Sequence, residues 1–166
     1  MMECNILGSG ARRSLFRNNK LASIGCNAPW TKVNFSLIFD EQVINILPND
    51  IEYKLIVHSR VYGHITQNKP EFKKHIHCVF DSAIVGESKY KQSSAHYAAT
   101  YMIKTGYTKL NLYGIDAWFE PENWANSYTD QFIEKPKGIP INIGMHWKSE
   151  WQLMMKQFPK VEFNFI

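Results

Sequence analysis

Arginine and cysteine are both scarce in this chain of 166 residues. Only four arginines, at positions 12, 13, 17 and 60, stand among 19 basic residues, and the 15 acidic residues leave a net charge of +4. So mild an excess does not imply a nucleic-acid partner and suits an anionic small molecule as well. The three cysteines, Cys4, Cys26 and Cys78, are too few and too scattered for a disulfide framework. We therefore expect a reducing compartment and a cytoplasmic protein.

Long apolar runs and repeated segments are also missing. No window approaches the roughly 20 consecutive apolar residues of a transmembrane helix, and residues 1–7 do not have the pattern of a targeting signal. Repeats, Ser/Gly linkers and low-complexity runs are absent as well. With 45% apolar and 14% aromatic residues, the sequence predicts one globular domain over residues 1–166, because this length supports a single core.

Short apolar runs that end at small or polar residues recur through the first half of the chain. Runs of this kind are typical of parallel strands buried on both faces of a sheet. The predicted strands cover residues 4–7, 21–25, 35–39, 51–57 and 75–80.

The second half contains the clearest part of a βαβ crossover, a helix followed closely by a strand. A helix with Ser93 or Ser94 as N-cap ends at Thr105-Gly106, and an apolar strand follows within three residues. Residues 117–139 are predicted to form a long loop or lid, followed by a helix over about 149–158 and a strand over 161–165. The whole pattern predicts an α/β fold: a single Rossmann-like domain with a mostly parallel sheet and helices on both faces.

The turn after the first strand, Gly8-Ser9-Gly10, is a candidate phosphate site. Glycines let backbone amides approach a phosphate closely, and Arg12 and Arg13 follow directly. An ordinary turn between a strand and a loop explains the same residues. The third glycine of a dinucleotide fingerprint and a Walker lysine are both missing, which disfavours hydride transfer and P-loop hydrolysis.

Polar residues follow other predicted elements at the same edge of the sheet, where ligands of open parallel sheets bind. Ser93 and Ser94, beside Lys91, are able to present hydroxyls and helix-end amides to an anion, although N-capping explains one serine. Asp116 follows a strand and is able to accept hydrogen bonds from sugar hydroxyls, or to form a turn.

Three histidines are candidates for metal binding or catalysis. On a strand, His75 and His77 share one face and Cys78 points away, so only two ligands converge and we expect no metal. His146 lies between the long loop and the last helix, where a general base would face the ligand edge.

Four of these segments together resemble one known family. Residues 93–116 are similar to a Thr-Ser-Gly helix start followed by the strand Gly-Tyr-Lys-Glu-Ile-Tyr-Leu-Ser-Gly-Ile-Asp, at the same spacing. Residues 6–10 are similar to a Gly-Asn-Gly turn, and residues 25–27 to an Arg-Cys-Asn segment. Residues 143–148 look like Ile-Gly-His-Ser-Lys with one residue inserted. These are motifs of the bacterial lipooligosaccharide sialyltransferases of glycosyltransferase family 42 and their Rossmann-like relatives.

The resemblance implies roles for individual residues. Asn27 takes the place of the asparagine that binds the nucleotide donor, and His146 that of the catalytic base. This sequence departs from the family at three further positions. Ala95 replaces a glycine, Lys91 replaces an arginine, and Asp40 replaces a second asparagine. Trp118 and Trp124 replace two tyrosines that assist departure of the nucleotide phosphate, and tryptophan has no hydroxyl.

The first function implied by the resemblance is a metal-independent, inverting glycosyltransferase that needs no cofactor. It would transfer sugar from a CMP-sialic-acid-like donor to a glycan or another hydroxyl acceptor, with His146 as general base. Homo-oligomers are compatible with it. The nucleotide site would comprise the following residues: Gly8, Ser9, Gly10, Asn27, Asp40, Lys91, Ser93, Ser94 and Asp116.

Two alternatives remain open. In the first, the chain is a non-catalytic nucleotide-binding or sequestering protein that closes Trp118 and Trp124 over a base. In the second, it is a pyrophosphokinase-like enzyme in which Asp40 and Asp116 hold magnesium.

Overall fold

Seven strands lie side by side in one sheet in the computed structural model, which describes residues 1–81, 92–122 and 142–166. Their spatial order is β5-β4-β3-β2-β1-β6-β7, and every neighbouring pair is parallel. The predicted α/β Rossmann-like fold is confirmed. The strands are β1 Glu3–Leu7, β2 Ala22–Cys26, β3 Phe35–Ile38, β4 Lys54–His58, β5 Ile76–Phe80, β6 Lys109–Tyr113 and β7 Glu162–Phe165.

Helices follow most of the strands. Two short 3₁₀ helices cover Ala11–Leu15 and Pro70–His75. The α-helices are α1 Glu41–Ile46, α2 Ser59–Asn68, α3 Ser94–Lys104, α4 Asp116–Phe119 and α5 Ile143–Gln157. None of the helices in the described ranges combines the length and the apolar character that a membrane span requires.

The order of the strands creates a switch point between β1 and β6. The chain builds the sheet outward from β1 to β5, then returns through α3, which packs over β1, β2 and β3, and places β6 on the other side of β1. Crevices at such points, beyond the carboxyl ends of the strands, are where open parallel sheets bind ligands. The fold therefore predicts a ligand site at the carboxyl edge near β1.

Both faces of the sheet carry an apolar core, because side chains alternate along each strand. One face buries Ile6, Ile24 and Leu37 beneath α3 and α5, with Trp151 of α5 fully buried among them. On the opposite face, Ile38, Leu55 and Val57 of the sheet pack against residues of α1 and α2, among them Val61 and Ile65 of α2. The predicted helices on both faces are thus present.

An asparagine ladder crosses the second face at the other end of the sheet. Asn5, Asn111 and Asn164 lie at matching positions of β1, β6 and β7. The Asn164 Nδ2 donates to Asn111 Oδ1 at 3.2 Å, and the Asn111 Nδ2 donates to Glu3 Oε1 at 2.8 Å. These bonds satisfy the side chain of Asn111, which would otherwise be buried and unpaired.

The last helix begins earlier than predicted. α5 starts at Ile143 instead of near residue 149, because Ile143, Trp151 and Met154 recur at helical spacing and are all buried. His146 consequently lies in the first turn of a helix and not in a loop. The predicted loop or lid also begins later, since α4 includes residues 117–119. Its remaining part from residue 123 to 139 lies outside the described residues.

Candidate functional site

The turn after β1 is held against the turn after β6. The Gly8 amide donates to the Tyr113 carbonyl at 2.8 Å, and the Gly10 amide donates to the Gly114 carbonyl at 2.9 Å. These two amides therefore extend the pairing of β1 with β6 beyond the ends of the strands. They are not available to a ligand phosphate as the sequence had led us to expect, and Ser9 lies half-buried between them.

The next two amides of this turn meet a carboxylate of the chain itself. Asp116 accepts hydrogen bonds from the backbone amide of Ala11 at 2.6 Å and from that of Arg12 at 3.3 Å. Consecutive amides in a turn form a concave site that favours an anion. Here Asp116 supplies that anion, so its structural role is to join the two turns.

Close approach of these turns explains both glycines. A Cβ added at Gly8 would lie 2.6 Å from the Gly114 carbonyl oxygen. A Cβ at Gly10 would overlap the Asp116 carboxylate. The pattern that predicted a phosphate turn thus reflects contact between two loops, which requires glycine for the same steric reason.

Three of the four arginines lie over aromatic rings on segments that follow β1 and β4. Arg12 stacks over the ring of Phe119 at 3.9 Å, and Arg60 lies over Phe39 at 5.2 Å. Arg13 and Arg17 belong to the same segment after β1, whereas Arg60 follows β4. Arg12, Arg13 and Arg60 therefore add positive charge after β1 and β4, and aromatic rings hold their guanidinium groups.

Asn27 and Ser94 meet at this edge although 67 residues separate them. Asn27 follows β2 in a left-handed conformation with φ of 64°, which asparagine tolerates better than most residues. The Ser94 hydroxyl, in the first turn of α3, donates to Asn27 Oδ1 at 3.4 Å. Two predicted nucleotide-site residues from distant segments are thus in contact, and both are half-buried.

Ser93 has a separate task as the N-cap of α3. Its side chain accepts from the amide of His96, and its own amide donates to His96 Nδ1 at 3.1 Å. This reciprocal arrangement is a capping box, with histidine in the place usually taken by Glu or Gln. Of the two serines, Ser93 therefore caps the helix and Ser94 reaches Asn27.

His96 is a site residue that sequence reasoning missed. Its ring is completely buried, stacks on Trp151 with centroids 4.1 Å apart, and places Nε2 3.1 Å from the Trp147 carbonyl oxygen. Because Nδ1 accepts from Ser93, the proton lies on Nε2, which donates to Trp147. Burial lowers the pKa of His96 to about 3, so the ring is neutral.

This contact ties the first turns of α5 to the start of α3. His146 directly precedes Trp147, and it is half-buried in the first turn of α5. A second tie lies one turn along, where Gln92 Nε2 donates to buried Glu150 at 2.9 Å. The first turn of α5, which includes His146, therefore lies beside the start of α3, where Ser94 contacts Asn27.

Asp40 and Asp116 do not form a shared magnesium site. They follow β3 and β6, which are separated by β2 and β1. Three strand spacings of about 4.8 Å amount to about 14 Å, far beyond the separation of two oxygens on one magnesium ion. Since Asp116 is also bound by backbone amides, the pyrophosphokinase hypothesis is not supported.

Trp118 packs against the sheet. Its indole stacks on Phe165 of β7 with centroids 4.1 Å apart and planes inclined by 8°, and the Lys148 Nζ lies 5.6 Å from the ring. This stack occupies a face that the predicted aromatic lid would offer to a base. Trp124 and Lys91, the remaining predicted residues, lie outside the described residues.

An aromatic cluster lies at the carboxyl ends of β3, β4 and β5. It consists of Phe39, His58, Phe80 and Tyr97, the last from the first turns of α3. His58 is the N-cap of α2, and its Nδ1 accepts from the Arg60 amide at 3.2 Å. The only sequence signal for this cluster was that His58 ends an apolar run.

Comparison of the chain with family models, curated proteins and solved structures finds no match in any of the three. The resemblance to glycosyltransferase family 42 therefore stays a prediction. The residues and geometry of the carboxyl edge carry the functional argument.

Proposed function

We propose that this chain binds a nucleotide-sugar at the carboxyl edge of the sheet and transfers the sugar to an acceptor hydroxyl, with His146 as general base. One observation carries the proposal: the hydrogen bond from His96 to the Trp147 carbonyl, 3.1 Å long, holds the turn with His146 against the start of α3. At that start, Ser94 meets Asn27. A candidate base and two candidate donor-binding residues thereby share one region.

The donor phosphate suits the beginning of α3. The first amides of a helix have no partner within the helix, and the helix dipole favours an anion there. Asn27 accepts from Ser94 through Oδ1. Its Nδ2 group is a donor and suits ligand oxygens. Arginines after β1 and β4 add positive charge along the same edge.

In the proposed reaction, the acceptor hydroxyl gives its proton to the His146 imidazole while its oxygen attacks the anomeric carbon. The bond from that carbon to the phosphate oxygen breaks on the opposite side, and the nucleotide leaves with the bonding electrons. Attack opposite the leaving group inverts the anomeric carbon. General base catalysis of this kind contributes about 10²- to 10⁴-fold to the rate.

Trp118 supports a second candidate function, nucleotide binding without transfer. It replaces a tyrosine of the resembling family and has no hydroxyl to assist departure of the phosphate. Its indole instead stacks on Phe165. A chain that keeps the Asn27–Ser94 contact but lacks such assistance would hold or sequester a nucleotide.

A ligand screen tests both functions. CMP, CMP-sialic acid, other nucleotide-sugars, cyclic nucleotides and ATP with magnesium are compared by thermal shift, since a ligand at a hundred times its Kd stabilises the fold by about 2.7 kcal/mol. Donor consumption in the same samples separates transfer from binding. Stabilisation without consumption favours the second function, and no stabilisation by any nucleotide contradicts both.

Two variants test the proposed roles of His146 and Asn27. His146→Ala should lower donor consumption by about 10²- to 10⁴-fold and leave the donor Kd nearly unchanged. Asn27→Gly keeps the left-handed backbone and removes the amide, so it should raise the Kd. His64→Ala is the control, because His64 is a half-buried histidine on α2. Unchanged turnover in His146→Ala would show that His146 is not the base.

A further inference from the structure

The aromatic cluster defined above is a second feature of the carboxyl edge. The Phe39 ring lies 4.8 Å from His58 and 5.1 Å from Tyr97, and the Phe80 ring lies 5.5 Å from His58, all measured between centroids. All four residues are buried, with relative exposures of 8% for Phe39, 6% for His58, 9% for Phe80 and 7% for Tyr97. A small part of each residue is thus exposed at the carboxyl ends of β3, β4 and β5, close to the start of α3.

His58 adds a buried donor to this aromatic cluster. Its Nδ1 accepts from the Arg60 amide, so the neutral ring carries its proton on Nε2. Burial, and then the charge of Arg60, lower the pKa of His58, which favours that neutral form. Within the described parts of the chain, the buried Nε2 has no hydrogen-bond partner. Buried polar groups without partners are rare and require an explanation.

Charged groups of both signs flank the imidazole. The Arg60 guanidinium lies over Phe39, and Asp81, which directly follows β5, acts on His58 with the opposite electrostatic sign. Both side chains are exposed. A purely anionic ligand would be repelled by Asp81, whereas a hydroxyl both accepts and donates. Sugar rings combine such hydroxyls with apolar C–H faces, which suit aromatic surfaces.

We propose that the Nε2–H of His58 donates to a hydroxyl of a sugar ring, with Asp81 accepting from a hydroxyl and the aromatic cluster contacting the ring. This sugar subsite at the end of β4 rests on the proposed function, because a nucleotide-sugar and its acceptor supply two such rings. One is the ribose of the nucleotide, and the other is a pyranose. The shared chemistry is a ring with neighbouring hydroxyls.

Histidine side-chain nitrogen NMR of the full chain tests the subsite directly. The ¹⁵N-labelled protein is titrated separately with methyl β-ribofuranoside, methyl β-galactopyranoside and inorganic phosphate. The subsite is supported if either glycoside moves the His58 Nε2 resonance, and the one that does so identifies the ring. A resonance that moves only with phosphate overturns the proposal in favour of an anion site.

His58→Asn is the matching variant, because asparagine also caps a helix while lacking the ring donor. It should weaken binding of the active glycoside by about 3- to 10-fold. His75→Asn is the control: His75 also has a buried Nε2 without a partner among the described residues, but it precedes β5 at the opposite edge of the sheet. Equal losses in the two variants would overturn the proposal. Should His58→Asn not fold, Asp81→Ala is tested in its place with the same expected loss, because alanine has no acceptor at this position.

The outcome is independent of the nucleotide screen. If no glycoside moves His58 while a nucleotide-sugar stabilises the protein, the sugar subsite is wrong and the proposed function stands. If a glycoside moves His58 and no nucleotide stabilises the protein, the subsite stands and the proposed function fails.

Discussion

The carboxylate of Asp116 accepts a hydrogen bond from the backbone amide of Ala11 at 2.6 Å, across 105 residues of sequence. This bond places an internal anion on the turn after β1, where the sequence suggested a ligand phosphate. The switch point of the sheet is consequently closed by the chain itself. The proposed ligand then belongs one strand away, where β2 meets α3 at Asn27 and Ser94.

Replacing Asp116 by Asn should destabilise the fold. The amides of Ala11 and Arg12 would lose a charged acceptor, and the new NH₂ group would face them with a donor. The expected loss is about 1–3 kcal/mol in the free energy of unfolding, measured by urea denaturation. Asp50→Asn, at an exposed aspartate, is the control. Equal stability of the two variants would refute the structural role of Asp116.

Gly10→Ala should also be destabilising, for a steric reason. The added methyl group overlaps the Asp116 carboxylate and would lie 2.7 Å from the Gly114 carbonyl oxygen. Forcing the turns apart should cost about 1–3 kcal/mol. Gly63→Ala is the opposite case, because nothing lies within 4 Å of its added Cβ on α2. That variant should gain about 0.5–1 kcal/mol in the same denaturation series, and a loss there would contradict the packing described.

His96 should make the protein less stable as the pH falls. Its folded pKa of about 3 lies below the unfolded value of 6.5, so between these values the unfolded chain binds a proton that the folded chain does not. Its contribution is therefore complete above about pH 6.5 and decreases toward pH 3, by up to about 1.4 kcal/mol per pH unit.

His96→Gln removes this titration while keeping a capping-box residue and an amide donor. The free energy of unfolding of wild type and variant is compared between about pH 5 and pH 7. We expect a shallower pH dependence in the variant. Parallel curves would show that the pKa of His96 is the same in the folded and unfolded chains, which would contradict its burial.

The cysteines should differ in reactivity. Burial raises the pKa of Cys4 and of Cys26 to about 12, so neither forms a thiolate near neutral pH. Cys78 is only partly buried on the edge strand β5. Iodoacetamide followed by mass spectrometry should label Cys78 in the native protein and all three cysteines in urea. Early labelling of Cys4 or Cys26 would contradict the burial of β1 and β2.

Much of the fold was predictable because its strands and one of its helices follow local patterns of the sequence. Short apolar runs with polar ends identified the strands, since a strand buried on both faces needs apolar side chains in succession. The helix from Ser94 to Lys104 was equally clear, because capping serines and a terminal glycine act on neighbouring residues. The start of α5 was missed because only burial beneath the sheet shows that Ile143 belongs to the same apolar face as Trp151.

The sequence by itself indicated the α/β class, the order of the strands along the chain, and the helix that begins at Ser94. Tertiary structure alone decided which partner each site residue takes. Asp116 occupies the glycine turn, Ser93 caps α3, and His96 reaches α5 through contacts between segments far apart in the chain. A local pattern specifies the amides and hydroxyls that a turn exposes, but only the packed chain specifies which distant group lies within hydrogen-bond distance of them.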